Sequence, residues 1–172
     1  MPLPSIETQV KVASEAADRF VEHYYDALNK HHRGTQLSQF YVSTSAKLTG
    51  AGLKPDISIN GHVCAAGVPE LEELIEKQGR PVHFEVQSVD AHPINPHYVL
   101  GSTNPEAQND KGDKLSFTIQ VGGTVKFGKG EDGTIRAFND AFMLVPHWEA
   151  QGRNAARTLQ RWLIVSQNSR YL

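Results

Sequence analysis

Five side chains are of the types that general acid–base catalysis uses: Tyr24, Tyr25, Asp90, His92 and Asp140. Asp140 is the most suggestive, because it lies between Phe138 and Phe142 on one face of an alternating, largely apolar stretch. Burial raises the pKa of a carboxyl group, which is one way to obtain a base that works near neutral pH. No two of the five occur at a spacing that defines a site. The simpler interpretation is that Asp140 bonds a neighbouring strand's side chain or a helix end, so we predict no catalytic residue.

Metal and cofactor sites are not predicted either. The chain has eight His and one Cys, and none of them is at the spacing of a metal-ligand pair. Cys64 has no His or acid placed to activate it, and a single Cys rules out an internal disulfide. Gly122 and Gly123 lie in the middle of a predicted strand, where glycine marks a bulge or bend of the sheet and not a phosphate loop.

A basic stripe is the remaining candidate for direct chemistry. Arg153, Arg157 and Arg161 are four residues apart, so a helix from Gly152 to Gln160 would place them on one side. Such a stripe could contact phosphate, but a solvated face is the simpler interpretation and the one that we prefer. The net charge of −2 provides no general basic field, so we expect any RNA binding to be weak, salt-sensitive and without sequence selectivity.

The element that organises the chain is a predicted hairpin. Alternation from Leu115 to Phe127 predicts a long strand with one apolar face, and a glycine-rich, acidic turn follows at residues 128–133. The returning strand, Ile135 to Val145, is largely apolar on both faces. Because a strand with two apolar faces is covered on both, we expect one cover from this chain and the other from a second chain.

The other elements are read from periodicity and capping residues. Ser5 is a suitable N-cap for a long amphipathic helix that carries apolar residues from Ile6 to Leu28 and ends in cations before Gly34. Further elements are predicted as follows: a short helix capped by Thr35, a strand at Ala46–Thr49, a strand end at Ile57–Ile59 with a turn at Asn60–Gly61, a helix from Pro69 to Gly79, a strand at Val82–Val86, a helix or loop at His147–Gln160 and a last strand at Arg161–Tyr171.

The segment from Pro93 to Lys114 is the least regular part of the chain. It contains Pro93, Pro96 and Pro105 and few large apolar groups, so it reads as a long loop. We interpret it as a surface appendage. Deletion of Asn104 to Gly112 would then shift the melting temperature by only about a few degrees, because loop length enters stability logarithmically.

Length and composition indicate one domain over residues 1–172. Helices segregated from strands predict an α+β fold. The longest apolar runs are far shorter than the ~20 residues of a membrane span, and the N-terminal residues lack the pattern of a secretory signal. We therefore expect a soluble protein that is not secreted and has no membrane partner.

The hairpin resembles the central hairpin of nuclear-transport-factor-2-like domains. The resemblance is carried by Val121, Gly123, Phe127, Phe138, Asn139, Phe142 and Leu144. Three further matches are His23-Tyr24-Tyr25, Asn60-Gly61 and Gln167-Asn168-Ser169-Arg170. Within the family, the chain is most similar to the small subunits of heterodimeric mRNA export receptors. The loop from Pro93 to Lys114 is longer than the minimal pattern of the family.

The resemblance implies a cone-shaped fold in which a strongly curved antiparallel sheet wraps around the long N-terminal helix. It also implies a non-catalytic protein, without a cofactor, that pairs sheet to sheet with a similar domain of a larger export receptor subunit. Further implied partners are Phe-Gly nucleoporins and, weakly, RNA or the large pre-ribosomal subunit. The implied location is the nucleus and the nuclear pore, with shuttling to the cytoplasm.

The face of the sheet that points away from the helices is the predicted partner interface. Phe138, Phe142 and Leu144 have the bulk to pack on the helices, which leaves the intervening residues for the other side. The predicted interface consists of Ser116, Thr118, Gln120, Thr124, Ala141, Met143, Val145 and, from the resemblance, Arg170 as an ion-pair donor.

Two alternatives share the fold. One is a small cone-fold isomerase or dehydratase, which requires Asp140 to line an open pocket with Tyr24 and a second acid or His. The other is a homodimeric nuclear import carrier, which requires an acidic hairpin tip. The tip has Glu131 and Asp132 but also Lys126 and Lys129, and these two cations argue against that second alternative.

Overall fold

A computed structural model describes residues 2–30 and 37–172. The helices are α1 (Ile6–Lys30), α2 (Ala46–Gly50) and α3 (Val68–Gln78), and the strands are β1 (Asp56–Ile59), β2 (His62–Val63), β3 (Val82–Asn95), β4 (Ser116–Phe127), β5 (Thr134–Pro146) and β6 (Trp162–Tyr171). Short 3-10 helices occupy Leu37–Phe40, Val42–Thr44, Gly130–Asp132 and Trp148–Ala150. The predicted helix end near Gly34 and the cap at Thr35 lie outside the described residues.

Helix α1 begins where its capping residue predicts. The Ser5 Oγ accepts a hydrogen bond from the Thr8 backbone N–H at 3.1 Å, which satisfies one of the free donors of the first turn. From Ala13 onward the predicted apolar stripe is the face that the helix buries, whereas Ile6 and Val10 at its start are exposed. The buried residues are Ala13, Ala17, Phe20, Val21, Tyr24, Tyr25 and Leu28. No helix among residues 2–30 and 37–172 is both long and apolar enough to cross a bilayer.

Helix α2 corrects the strand predicted at Ala46–Thr49. Ser45 is its N-cap, and the Ser45 Oγ accepts a hydrogen bond from the Leu48 backbone N–H at 3.2 Å. Leu48 is fully buried, so one turn of helix is enough to place a large apolar side chain on the sheet. The alternation in this stretch was too short to distinguish a strand from a helical turn.

The six strands form one sheet in the order β2-β1-β6-β5-β4-β3. All neighbouring pairs are antiparallel except β1 and β6, which are parallel, so the predicted antiparallel sheet has one exception. At the Asn60–Gly61 turn, Asn60 has a positive φ of 50° and its Oδ1 accepts from the Tyr171 backbone N–H at 2.8 Å. This bond ties the end of β1 to the end of β6.

The glycine pair in β4 marks a bulge, as predicted. The register between β3 and β4 shifts between Val86 and Ser88, opposite Gly123 and Gly122. A Cβ on Gly123 would lie 2.0 Å from the Glu85 carbonyl oxygen and 2.9 Å from Cε1 of Phe138. Only glycine therefore allows β3 to come this close while the Phe138 ring packs beneath.

The irregular segment is shorter and better anchored than the sequence predicts. Strand β3 continues to Asn95, so the loop begins at Pro96. Lys114 is 4% exposed and its Nζ donates to the carbonyls of Pro105 and Ala107, each at 2.7 Å. A Cβ on Gly112 would lie 3.0 Å from Val12 of α1. The loop is thus held together by Lys114 and packed on α1 at Gly112, so we expect its deletion to cost more stability than a free appendage would.

Residues 147–161 form a 3-10 turn and irregular turns instead of a helix. The condition for a basic helical stripe is therefore not met, and Arg153, Arg157 and Arg161 are all exposed, as the solvated-face interpretation expects. Glu149 anchors this segment, because its carboxylate accepts from the Ser45 Oγ at 2.7 Å and from the Lys47 backbone N–H at 2.9 Å. Partial burial opposes ionisation, but these two hydrogen bonds prevail and lower the pKa of Glu149.

Candidate partner-binding face of the sheet

One side of the sheet packs on α1, and the opposite side is called the outer face here. Its central residues pair across strands β4 and β5: Thr118 with Met143, Gln120 with Ala141 and Thr124 with Ala137. Gln120 and Ala137 are exposed, and Thr118, Thr124, Ala141 and Met143 are half-buried. All of the predicted residues on these two strands lie on the side away from Phe138 and Phe142, which are buried in the core.

Ser116 and Val145 lie at one end of the same face but have no accessible surface. Val145 belongs to a second buried cluster with Val42, Leu48, Trp148 and Leu163. The cover therefore comes from this chain, from the 3-10 helix at Val42–Thr44 and from α2. Because Ser116 and Val145 have no accessible surface, we exclude them from the proposed interface.

Arg170 lies at the other end of the face, near the end of β6. It is exposed and pairs in register with Asn139 of β5, while Ala141 pairs with Asn168. Among the described residues, Arg170 forms no ion pair. The face also carries exposed carboxylates, Glu85 and Asp90 on β3. The outer face is therefore a mixed polar and apolar surface with a free guanidinium at its edge, as protein interfaces often are.

The interior of the fold is filled and not open. Phe20, Tyr24 and Phe142 form mutual ring contacts with centroids 5.2–5.3 Å apart, and Tyr25 and Phe84 pack on Phe138 in the same way. Stacked and edge-to-face rings of this kind are typical of a well-packed core. The open pocket that an enzyme would require around Asp140 is occupied by aromatic side chains.

A buried polar network runs through these rings. The Tyr25 hydroxyl donates to Asp140 Oδ2, and the Tyr41 hydroxyl donates to Gln167 Oε1. Gln167 Nε2 also donates to Ser169 Oγ at 2.9 Å and to the Tyr24 hydroxyl at 3.2 Å. Burial raises the pKa of Asp140 to about 6, although the Ser169 and Tyr25 hydroxyls act to lower it. These bonds match the simpler interpretation of Asp140, a carboxyl group held by neighbouring side chains.

The five candidate acid–base residues do not meet. Tyr24, Tyr25 and Asp140 are inside the fold, whereas Asp90 and His92 lie on exposed positions of the outer face. A sheet separates the two groups, so they cannot act on one substrate. Within the described residues, no three His, Cys, Asp or Glu side chains are grouped closely enough to hold a metal ion.

Residues 16–153 of the chain match the domain model of nuclear transport factor 2. The chain belongs to the nuclear transport factor 2 family. The sequence-based resemblance and the predicted fold class are thereby confirmed, with a six-stranded sheet that wraps a long N-terminal helix and does not close into a barrel.

Solved structures in the nuclear transport factor 2 family show a more specific likeness. A structure described as the Sac3N peptide bound to Mex67:Mtr2 aligns with a TM-score of 0.81 and 30% identity, over 93% of this chain and 99% of the other. The Mex67 NTF2-like domain complexed with Mtr2 of Chaetomium thermophilum gives 0.80 and 30%, over 93% and 98%. A structure of Mtr2 gives 0.75 and 28%, over 93% and 99%. A search of curated protein sequences found no match.

The sequence prediction missed part of the outer face. Ile135, Ala137 and Asn139 belong to the same alternation as Ala141, and Ile135 is 67% exposed, but the predicted interface includes only the C-terminal half of that strand. Asn168 of β6 and Ser58 of β1 extend the face further. No sequence signal identifies these two, because their place depends on which strands are neighbours.

Proposed function

We propose that this chain is the small subunit of an mRNA export receptor and that it pairs through its outer face with the similar domain of a larger subunit. The observation that carries the proposal is the similarity to Mtr2 structures, with and without Mex67, over 93% of the chain. As further steps of the same proposal, the pair carries messenger ribonucleoprotein through nuclear pores by contacting Phe-Gly nucleoporins and shuttles between nucleus and cytoplasm. The proposal also includes weak contact of the pair with RNA or with the large pre-ribosomal subunit.

The properties of the outer face support pairing. It spans several strands, and of the predicted interface residues Ser116 and Val145 are the ones that this chain covers completely. A stable interface buries about 1,600 Å² in total, which a face of several strands can supply. Ala141 is half-buried between Gln120 and Asn168 on the neighbouring strands, so it lies near the middle of the surface and has no charge to desolvate.

The proposal is tested by affinity capture of the tagged chain from extract of its own cells. We expect one larger protein in equal amount, and Ala141→Glu should lose it because an unpaired carboxylate would be buried in the contact. Ala156→Glu is the matched control, since Ala156 is exposed in the turns before β6. Both variants should keep the far-UV circular dichroism of the parent.

The alternatives are separated in the same experiment. A homodimeric carrier would give a dimer of the purified chain in light scattering, which Ala141→Glu would dissociate. If Ala141→Glu is folded and still captures the larger partner, the outer face is not the interface. If Ala141→Glu unfolds by itself, Ala141 belongs to the core and the assignment of the two faces is wrong.

A further inference from the structure

A groove of about 530 Å³ lies along α1, the helix that packs on the side of the sheet away from the outer face. Its walls are α1 from Val12 to His23, the end of the loop at residues 111–113 and the segment Arg157–Trp162. None of the proposed interface residues of β4, β5 and β6 lines it. The volume is within the ~300–1,000 Å³ range of sites that hold small ligands or a peptide side chain.

The floor of the groove is apolar and firmly held. Phe20 is 4% exposed, and Ala16 and Trp162 are half-buried. The Trp162 Nε1 donates to the Leu115 carbonyl at 2.9 Å, and the Arg161 guanidinium lies 5.6 Å from the centre of the ring. Leu159 forms part of the wall and is 39% exposed. A preformed apolar floor of this kind suits one large apolar side chain.

The rim of the groove is positively charged. Arg161 and Asp113 neutralise each other through an ion pair of 3.2 Å. Apart from this pair, the rim has three cations, Arg19, Lys111 and Arg157, and one carboxylate, Glu15. All three cations are exposed, and none forms an ion pair with any residue that the structure describes. The rim therefore favours an acidic ligand.

We propose that this groove binds an extended acidic peptide of another protein, which inserts an aromatic or large aliphatic side chain between α1 and Trp162. The acidic residues on either side of that anchor pair with Arg19, Lys111 and Arg157. Because the site is separate from the outer face, it can be filled while the sheet is paired. The peptide is thus a further partner and does not replace the larger subunit.

The apolar floor distinguishes a peptide from a nucleic acid. A nucleic acid backbone has no side chain to bury on Ala16 and Phe20. A peptide with an apolar anchor places that side chain on the apolar floor and its acidic residues next to the cations of the rim. Recognition by a buried anchor with charges around it is a common arrangement at protein interfaces.

The test uses the full chain and a fluorescein-labelled heptapeptide that carries Phe between two runs of Asp and Glu. Fluorescence anisotropy should show saturable binding below about 1 mM. A peptide with Ser in place of Phe and one with Lys in place of the acids should each bind about tenfold more weakly or not at all. Amide shifts in NMR spectra should cluster at α1 and Trp162.

Two variants with matched controls test the site itself. Arg157→Glu should weaken binding about fivefold, while Arg153→Glu, the same change at an exposed position outside the groove, should leave it unchanged. Leu159→Ser should also weaken binding, whereas Leu172→Ser, at a residue 77% exposed elsewhere, should not.

Several results would overturn the proposal. One is failure of the acidic Phe peptide to bind at millimolar concentration, and another is equal loss in Arg153→Glu and Arg157→Glu. A single-stranded RNA that binds the groove more tightly than the peptide would identify a phosphate site. Self-association that Arg157→Glu abolishes would identify a second copy of this chain as the occupant.

Discussion

The side-chain amide of Asn29 pairs with both backbone groups of Phe84. Asn29 Nδ2 donates to the Phe84 carbonyl at 3.0 Å, and the Phe84 backbone N–H donates to Asn29 Oδ1 at 2.6 Å. Phe84 lies on β3, an edge strand of the sheet. The Asn29 side chain thus makes the two hydrogen bonds that a neighbouring strand would make to Phe84. At this point α1 prevents another chain from pairing with the edge of β3.

Asn29→Ala should therefore destabilise the fold and expose the edge. Loss of the amide leaves one donor and one acceptor of Phe84 without partners, at a cost of about 1–3 kcal/mol in the free energy of unfolding. Urea denaturation measures that loss, and light scattering at rising concentration should show more aggregation. Asn154→Ala, at an exposed position in the turns before β6, should change neither quantity.

Asp140 should make stability depend on pH in the opposite sense to an ordinary surface carboxylate. Its pKa is raised from 3.8 to about 6 by burial, so the folded chain holds this proton more tightly than the unfolded chain. The contribution of Asp140 to stability is then greatest below pH 3.8 and falls as the pH rises to 6. A shift of this size corresponds to about 3 kcal/mol.

Asp140→Asn isolates this effect, because Asn keeps an acceptor for the Tyr25 hydroxyl and has no charge. The variant and the parent should unfold at similar urea concentrations at pH 4, and the variant should be the more stable at pH 7, by up to about 3 kcal/mol. Asp110→Asn, at an exposed position in the loop, is the control. A variant that is less stable than the parent at pH 7 would mean that the ionised carboxylate is required.

Deletion of Asn104 to Gly112 should cost more than loop entropy alone. The deletion removes Pro105 and Ala107, whose carbonyls accept from the buried Lys114 ammonium. A buried charge without partners costs about 3–5 kcal/mol, whereas shortening a loop changes stability by less than about 1 kcal/mol. Thermal and urea unfolding should show the larger loss.

Addition of Lys114→Met to the deletion should restore much of the stability, because Met fills the site without a charge. The combined variant tests the cause and not only the size of the effect. If the deletion by itself shifts the melting temperature by only a few degrees, the sequence-based interpretation of the loop as an appendage is correct.

Arg170→Glu should weaken capture of the larger partner. The residue is exposed at the edge of the outer face and has an unengaged guanidinium among the described residues, so a partner carboxylate is its expected ion-pair acceptor. Loss of one member of such a pair costs roughly 2–5 kcal/mol of binding free energy when the contact excludes water. Calorimetry with the purified partner measures the change. An acid-to-Lys exchange in the partner should restore binding to Arg170→Glu, and absence of any rescue would place Arg170 outside the contact.

The strands and their two faces were predictable because alternation is a local signal. Phe138, Phe142 and Leu144 are buried in the core and Ala141 and Met143 lie on the outer face, as period two requires. The burial of Val145 was not predictable. The side chains that cover Val145 include Leu48, which is distant in sequence. Leu48 lies in a stretch whose sequence reads as a strand unless Ser45 is recognised as a helix N-cap.

The anchoring of the loop could not be predicted for a different reason. Lys114 bonds to backbone carbonyls, which every residue has, so the sequence carries no mark of its partners. The same holds for Asn29, whose partner is the backbone of Phe84. Contacts between a side chain and a backbone depend on the path of the chain and not on residue types.

The parallel pairing of β1 with β6 has a consequence for synthesis. Strand β6 is made after all other strands, yet it lies between β1 and β5 in the sheet. A nascent chain synthesised as far as Pro146 therefore has two separate sheet fragments, the β1–β2 hairpin and the strands β3 to β5, with no strand to join them. Since folding proceeds from the N-terminus as the chain emerges, the domain cannot close until Trp162 to Tyr171 have left the ribosome. A premature stop before Trp162 would remove the junction of the sheet and not merely one of its edges.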